Sequence, residues 1–301
     1  MKLAVKKQSF MKGILVIMGA QILVKLMGFA YRVILTNFKE FSDTGNSYYG
    51  SGYTVYTFIL AIATLGIPNT ISKIVSEKIA VGDRRGAHKV FKVAFFLFAF
   101  VGAFFAVVLY VFAEPIATYV LANPGVELTM KVLAPAVFFC AVGATVKGYF
   151  IGMSNMSLIS NAQIIDQIVN CIFSVAFVAM LLNTTPEVMA AGSTMATTLA
   201  TFSSMMYVLI YYRHSKKDIM EEIDASPKSE RIQKRDIVKQ IIKYVIPISF
   251  GSLVVQLSGL IDLVSVMKGL DGFGYTLDKA NEIFRHYFRK SRYTYISSTC
   301  R

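Results

Sequence analysis

"KVFKVAFFLFAFVGAFFAVVLYVFA", residues 89–113, has two cations among its first four positions and then no charge at all. A helix rises about 1.5 Å per residue, so the uncharged remainder is long enough to cross about 30 Å of hydrocarbon. A surface helix of a soluble protein would interrupt such a run with polar residues on one face. The run therefore predicts a membrane-spanning helix. Six more of the same kind are read at about 13–37, 53–72, 130–152, 158–182, 188–212 and 241–266. None shows the alternation over roughly ten residues that marks a barrel strand, and an open sheet edge cannot be satisfied in lipid. The expected fold class is an all-α polytopic membrane protein. Composition agrees, with 55% hydrophobic and 16% charged residues, against roughly 25% charged in a typical soluble domain.

The first run follows Lys2, Lys6, Lys7 and Lys12, as the apolar core of a signal peptide would. It reads instead as a span, being too long, containing Lys25 and Arg32, and lacking a small-residue cleavage site after it. The net charge of +13 would point to nucleic acid in a soluble chain. Here its placement argues against a nucleic-acid partner. The N-terminus, residues 73–92, Lys147 and residues 213–243 gather most of the Lys and Arg, whereas 38–50, 114–129 and 183–187 hold Lys39 alone. By the positive-inside rule the basic segments are expected in the cytoplasm, together with the N-terminus.

Six runs fill residues 1–212, which predicts a six-helix N-terminal lobe. A polar, mixed-charge stretch at 213–239 reads as a cytoplasmic linker, and 240–284 as the first helix of a second lobe with its following loop. Cys140, Cys171 and Cys300 give neither a disulfide framework nor metal-ligand spacing, and two of the three are expected as buried thiols. No phosphate-binding loop, zinc-protease, nucleophile-elbow or dinucleotide motif occurs, and His88, His214 and His286 read as isolated in loops or the tail. Neither an enzyme nor a metal or other cofactor is expected.

Polar residues inside the spans carry the functional signal. Gln21, Lys25 and Arg32 are spaced by four and seven, which places them on one helical face. A cation at mid-membrane costs about 2.5–3.5 kcal/mol on insertion scales, so this face must meet water, a counter-ion such as Asp166 or Asp262, or an anionic ligand. Gln163, Asp166, Gln167 and Asn170 form a second stripe, open to two readings, cavity lining or interhelical hydrogen bonding. Ser249, Ser252, Gln256 and Gly259, flanked by Asp262, share a face of the seventh run, where packing is expected. Gly28, Pro68, Pro135 and Pro247 are candidate kinks or hinges, or ordinary membrane-helix residues.

Three stretches resemble the polysaccharide-biosynthesis transporters, especially the stage V sporulation protein B-like members. They are "LGIPNTISKIVSEKIAVGD" (65–83), "KGYFIGMSNMSLISNAQIIDQIVN" (147–170) and "IPISFGSLVVQLSGLIDLVSV" (246–266), in the family's order. The family belongs to the multidrug, oligosaccharidyl-lipid and polysaccharide exporter superfamily. The resemblance implies two helical lobes around a cleft that opens alternately to either side of the bacterial cytoplasmic membrane. Members that flip undecaprenyl-pyrophosphate-linked precursors carry basic residues in the first helix, where this chain reads "KLMGFAYR" (25–32). It implies that Lys25 holds pyrophosphate, while Tyr31 stands where such relatives carry a second cation and Arg32 follows it. Lipid-linked anionic saccharide and membrane lipid are the implied partners, with any coupling ion left open.

Two other readings stay open: a drug or organic-cation antiporter of the same superfamily, with Asp166 as its main carboxylate, and a non-transporting membrane fragment. The last turns on residues 285–301, "RHYFRKSRYTYISSTCR", which carry five Lys or Arg and no acid. Such a basic tail after a helix that exits outward breaks the charge pattern. A single-base frameshift is expected ahead of Arg285, since a shifted reading can encode Gly-Ile-Ile-Ser-Gly-Lys-Val-Asp. A product so truncated is expected to lack most of one cleft wall and to be inactive.

Overall fold

Every apolar run folds as helix, because only a helix or a closed barrel satisfies its own backbone polar groups in lipid. The computed structural model describes residues 10–36, 41–64, 66–226, 233–276 and 279–284. Its helices are α1 (Phe10–Thr36), α2 (Ser42–Thr64), α3 (Ile67–Ala80), α4 (Arg84–Val111), a single turn α5 (Ala113–Pro115), α6 (Glu127–Gly152), α7 (Ser157–Met180), α8 (Pro186–Asp224) and α9 (Lys234–Gly272). A π-turn at Ile116–Val120 and a 3-10 turn at Pro124–Val126 bridge α5 and α6. No strand occurs among the described residues. Seven segments are long and apolar enough to cross a membrane, α2 and α3 together making one of them.

That second segment departs from the sequence reading in two ways. Helix begins at Ser42 rather than near 53, because residues 44–52 are small, polar and aromatic and pack instead of facing lipid: Tyr48, Tyr49, Ser47 and Ser51 are buried. It then breaks at Gly66, whose φ of 82° is left-handed, with Pro68 in the first turn of α3. Of the other candidate hinges, Pro135 and Pro247 lie inside continuous α6 and α9, and α1 runs unbroken through Gly28.

Central in the bundle is α6, packed against α2, α3, α4 and α8, while α7 lies on α8 and α1 on α7. Glycines set the close approaches. A Cβ at Gly148 would come within 3.0 Å of the Pro68 backbone, and one at Gly102 within 2.6 Å of Ala141 Cβ. Small residues at such crossings are how membrane helices gain packing without a hydrophobic drive between them. The outward face of α4 shows Phe96, Phe100, Phe104 and Val107 exposed at helical spacing, a stripe far more suited to lipid than to water.

Two apolar cores stack along the bundle. One, at the end that carries the basic segments, gathers Ile71, Val90, Phe91, Phe150, Leu158 and Val208. The other, at the opposite end, gathers Phe41, Tyr48, Tyr56, Leu109, Leu121 and Leu133. Helix α9 joins both, through Ile237 and Ile241 in the first and Leu263 and Met267 in the second. Beyond α9, Asn281 accepts hydrogen bonds on its Oδ1 from Ser47 Oγ (2.7 Å) and Asn123 Nδ2 (2.8 Å), all fully buried. At the basic end Asp83 caps α4, accepting from Gly86 N at 2.6 Å, and Arg84 and Arg85 pair with Glu222 and Asp224 of α8. The stretch read as a linker, 213–239, is therefore helical at both ends. The basic tail from 285 and Cys300 lie outside the described residues.

Candidate functional site

Helices α1 and α7 run the same way. Tyr31 and Leu35 near the end of α1 pack into the opposite-end core, as does Val178 near the end of α7, while Leu158 and Ala162 at the start of α7 lie in the basic-end core. Their contact is close at Gly28, where an added Cβ would stand 3.5 Å from Gln167 Nε2, and at Met27, whose carbonyl accepts from Cys171 Sγ at 3.7 Å. Gln167 Nε2 in turn lies 3.3 Å from Cys171 Sγ. The two polar stripes read from the sequence are thus neighbours on one wall.

On that wall Gln21 and Lys25 are exposed, and Lys25 has no ion-pair partner among the described residues. Neither Asp166 nor Asp262, the counter-ions considered from the sequence, pairs with it. Tyr31 is half-buried, packed against the opposite-end core. The side chain of Arg32 lies outside the described residues, as does that of Ser252. Asn170 donates to Thr197 Oγ1 of α8 at 3.4 Å, an interhelical bond of the kind that the second reading of its stripe anticipates. Gln163 and Asp166 are different. Both are half-buried, Gln163 Oε1 is shielded yet has no hydrogen-bond partner, and the Asp166 carboxylate makes no hydrogen bond or ion pair among the described residues.

Lys147, grouped from the sequence with the cytoplasmic basic segments, joins the polar groups that meet α8. It lies inside α6, five residues before its end, half-buried, and its Nζ donates to Ser204 Oγ of α8 at 3.1 Å. The available signal was a cation at helical spacing from Cys140, whose Sγ lies 3.7 Å from the Tyr56 hydroxyl of α2. His88 was also misplaced: it is buried in α4, with Nδ1 3.4 Å from the Tyr149 hydroxyl and its ring among Phe91, Tyr149 and Tyr212. His214 lies in α8. Cys140 and Cys171 are free and half-buried. No cluster of three His, Cys, Asp or Glu able to hold a metal occurs among the described residues. The wall offers charge and hydrogen bonding rather than a nucleophile with its base.

Residues 10–275 match the family profile described as "Polysaccharide biosynthesis protein". Stage V sporulation protein B of Bacillus subtilis (strain 168) is 23% identical over 210 residues, 70% of this chain and 40% of that protein. Lipid II flippase MurJ of the same organism is 25% identical over 243 residues, 77% of this chain and 45% of that protein. The chain thus spans about half the length of the curated relatives it matches. Among solved structures, a multidrug-resistance MATE family transporter of the MOP superfamily, in an outward-facing conformation, superposes with a TM-score of 0.62 at 17% identity, over 85% of this chain and 55% of that one. A MOP superfamily transporter from Pyrococcus furiosus gives 0.60 at 18% identity, over 85% and 55%. These structures share the fold.

Proposed function

The chain belongs to the polysaccharide biosynthesis protein family, and from that premise we propose that it takes part in moving a lipid-linked saccharide of the undecaprenyl-diphosphate type across the bacterial cytoplasmic membrane. The observation that carries this reading is Lys25: a cation in a span, exposed on the α1–α7 wall and without an ion-pair partner among the described residues. Left in lipid it would cost several kcal/mol, so it faces water or an anion. The relatives named for sporulation and for lipid II flipping bring the substrate class into view. The diphosphate headgroup would enter a wet cleft against Lys25 and Arg32, with Gln21 and the amides of α7 beside them, while the polyprenyl tail stays in lipid. Rocking of two lobes would then carry the headgroup over, with no covalent chemistry and no cofactor. Lysine serves such a group as a point charge rather than as a bidentate fork.

Asp166 favours a second reading, an exporter of drugs or organic cations, because its carboxylate stands on the same wall without a hydrogen-bond partner among the described residues. Binding selectivity separates the two. In lipid nanodiscs the full chain is expected to bind undecaprenyl diphosphate in preference to both undecaprenol and tetraphenylphosphonium. Preference for tetraphenylphosphonium would transfer the proposal to the cation exporter.

A further inference from the structure

Helix register places four polar groups in one layer of the bundle. Asn161 donates to the Tyr207 hydroxyl at 3.2 Å, Asn170 to Thr197 at 3.4 Å, and Ser174 meets Ser193 at 2.8 Å. These three pairs fix α7 and α8 as antiparallel and put Ser204 opposite the turn that holds Gln163. Lys147 Nζ, bonded to Ser204, therefore sits at the level of Gln163 and Asp166. On the adjoining face of α7, Gly28 abuts Gln167, so Lys25, one turn earlier on the parallel α1, lies at the same level. Lys25, Asp166 and Lys147 thus stand at one level of the bundle.

Lys147 and Asp166 interact electrostatically, yet they make no ion-pair contact. A settled structural pair would close to hydrogen-bond distance, because a membrane-embedded charge gains most from direct contact. Here the ammonium holds only a neutral hydroxyl, the carboxylate holds nothing among the described residues, and the shielded Gln163 Oε1 beside them is unpaired. Two of the three Lys147 ammonium protons are thus left for a third party with acceptor oxygens. From this geometry we infer that Lys147 is a second anion-holding residue, which takes a phosphate of the headgroup jointly with Lys25, while Asp166 balances its charge when the cleft is empty. The inference rests on the anionic-headgroup reading above and adds to it a residue from α6.

The test titrates the full chain in phosphatidylcholine nanodiscs with undecaprenyl diphosphate, inorganic pyrophosphate and undecaprenol. Lys147→Gln is expected to weaken binding of the diphosphate lipid by about tenfold or more, as loss of a charge-assisted hydrogen bond does. Lys147→Arg retains it, which guards against a folding artefact, and Asp166→Asn tightens it by removing the competing charge. Lys131→Gln, at an ion pair with Glu127 near the far end of α6, leaves it unchanged. Pyrophosphate that competes and shows the same loss in Lys147→Gln supports recognition through the diphosphate alone; lipid binding without such competition, but with the same loss, supports recognition that includes the tail. Wild-type binding of the diphosphate lipid that survives intact in Lys147→Gln overturns the role of Lys147 and leaves the headgroup reading standing. Failure of the wild-type chain to bind the diphosphate lipid overturns that reading and this inference together.

Discussion

In the proposed function Lys25 works against insertion and for a ligand. Its neighbours on α1, Ile22, Leu23, Leu26 and Phe29, are exposed and apolar as lipid demands. A leucine in its place would gain the apolar transfer energy and remove a penalty of about 2.5–3.5 kcal/mol. Lys25→Leu is therefore expected to improve insertion of the first span in a glycosylation-mapping assay while lowering affinity for undecaprenyl diphosphate. Such opposed effects are usual where a site is kept at the expense of stability. Unchanged affinity in that variant removes Lys25 from the site. The presence of this cation was legible from spacing alone, since no lipid-facing role explains it. Lys147 was not legible in the same way. It stands close to the end of α6, where a sequence cannot tell a cation that reaches the membrane surface from one turned inward onto Ser204.

Helices were legible where hydropathy decides and obscure where packing does. The long runs of α4 and α6 announce themselves, but the first half of α2 is hidden by its small residues and tyrosines, of which Ser47, Tyr48, Tyr49 and Ser51 are buried in the bundle rather than facing lipid. The break between α2 and α3 was expected only as one of four candidate hinges, centred on Pro68, and it falls two residues earlier. The physical reason is that proline is tolerated in the first turn of a helix, so it marks the start of α3, while Gly66 supplies the left-handed backbone. Val245, Ile248 and Ser249 of α9 close over that point. An alanine at position 66 would meet Ser249 Oγ at 2.9 Å and the Val245 carbonyl at 3.3 Å, besides the about 1–2 kcal/mol that an L residue loses in this region. Gly66→Ala is expected to lower the melting temperature in detergent. Gly28→Ala, whose Cβ would make an ordinary 3.5 Å contact inside a regular helix, is expected to leave it unchanged or raise it, by the roughly 1 kcal/mol by which alanine exceeds glycine there. Equal losses in both would contradict the distinction between a required break and a permissive glycine.

The molecule as a whole is polarised. Lys73, Lys78, Arg84, Arg85, Lys89, Lys216 and Lys217 gather at one end, and the turn at 181–185 between α7 and α8 lies at the other. By the positive-inside rule the basic end is expected in the cytoplasm. In intact cells, a membrane-impermeant thiol reagent is expected to label Asn183→Cys and to spare Lys217→Cys until the membrane is permeabilised. The reverse pattern would invert the topology and with it the side from which headgroup is loaded. Attachment of α9 to both cores, together with the buried Ser47–Asn123–Asn281 bonds, holds the segment that follows the bundle against α2. None of this was visible in the sequence, since Asn281 stands in a stretch with no periodic signal and finds its partners far away along the chain.

The most direct measurement places a ligand on the α1–α7 wall. In a chain carrying Cys140→Ala, Cys171→Ala and Cys300→Ala, a single Gln21→Cys stands one turn from Lys25 on its exposed face. Undecaprenyl diphosphate is expected to slow modification of that thiol by a methanethiosulfonate reagent, with undecaprenol giving no protection. Modification at the same rate with and without the diphosphate lipid, under conditions where the lipid binds, would show that the headgroup sits elsewhere and would contradict the account.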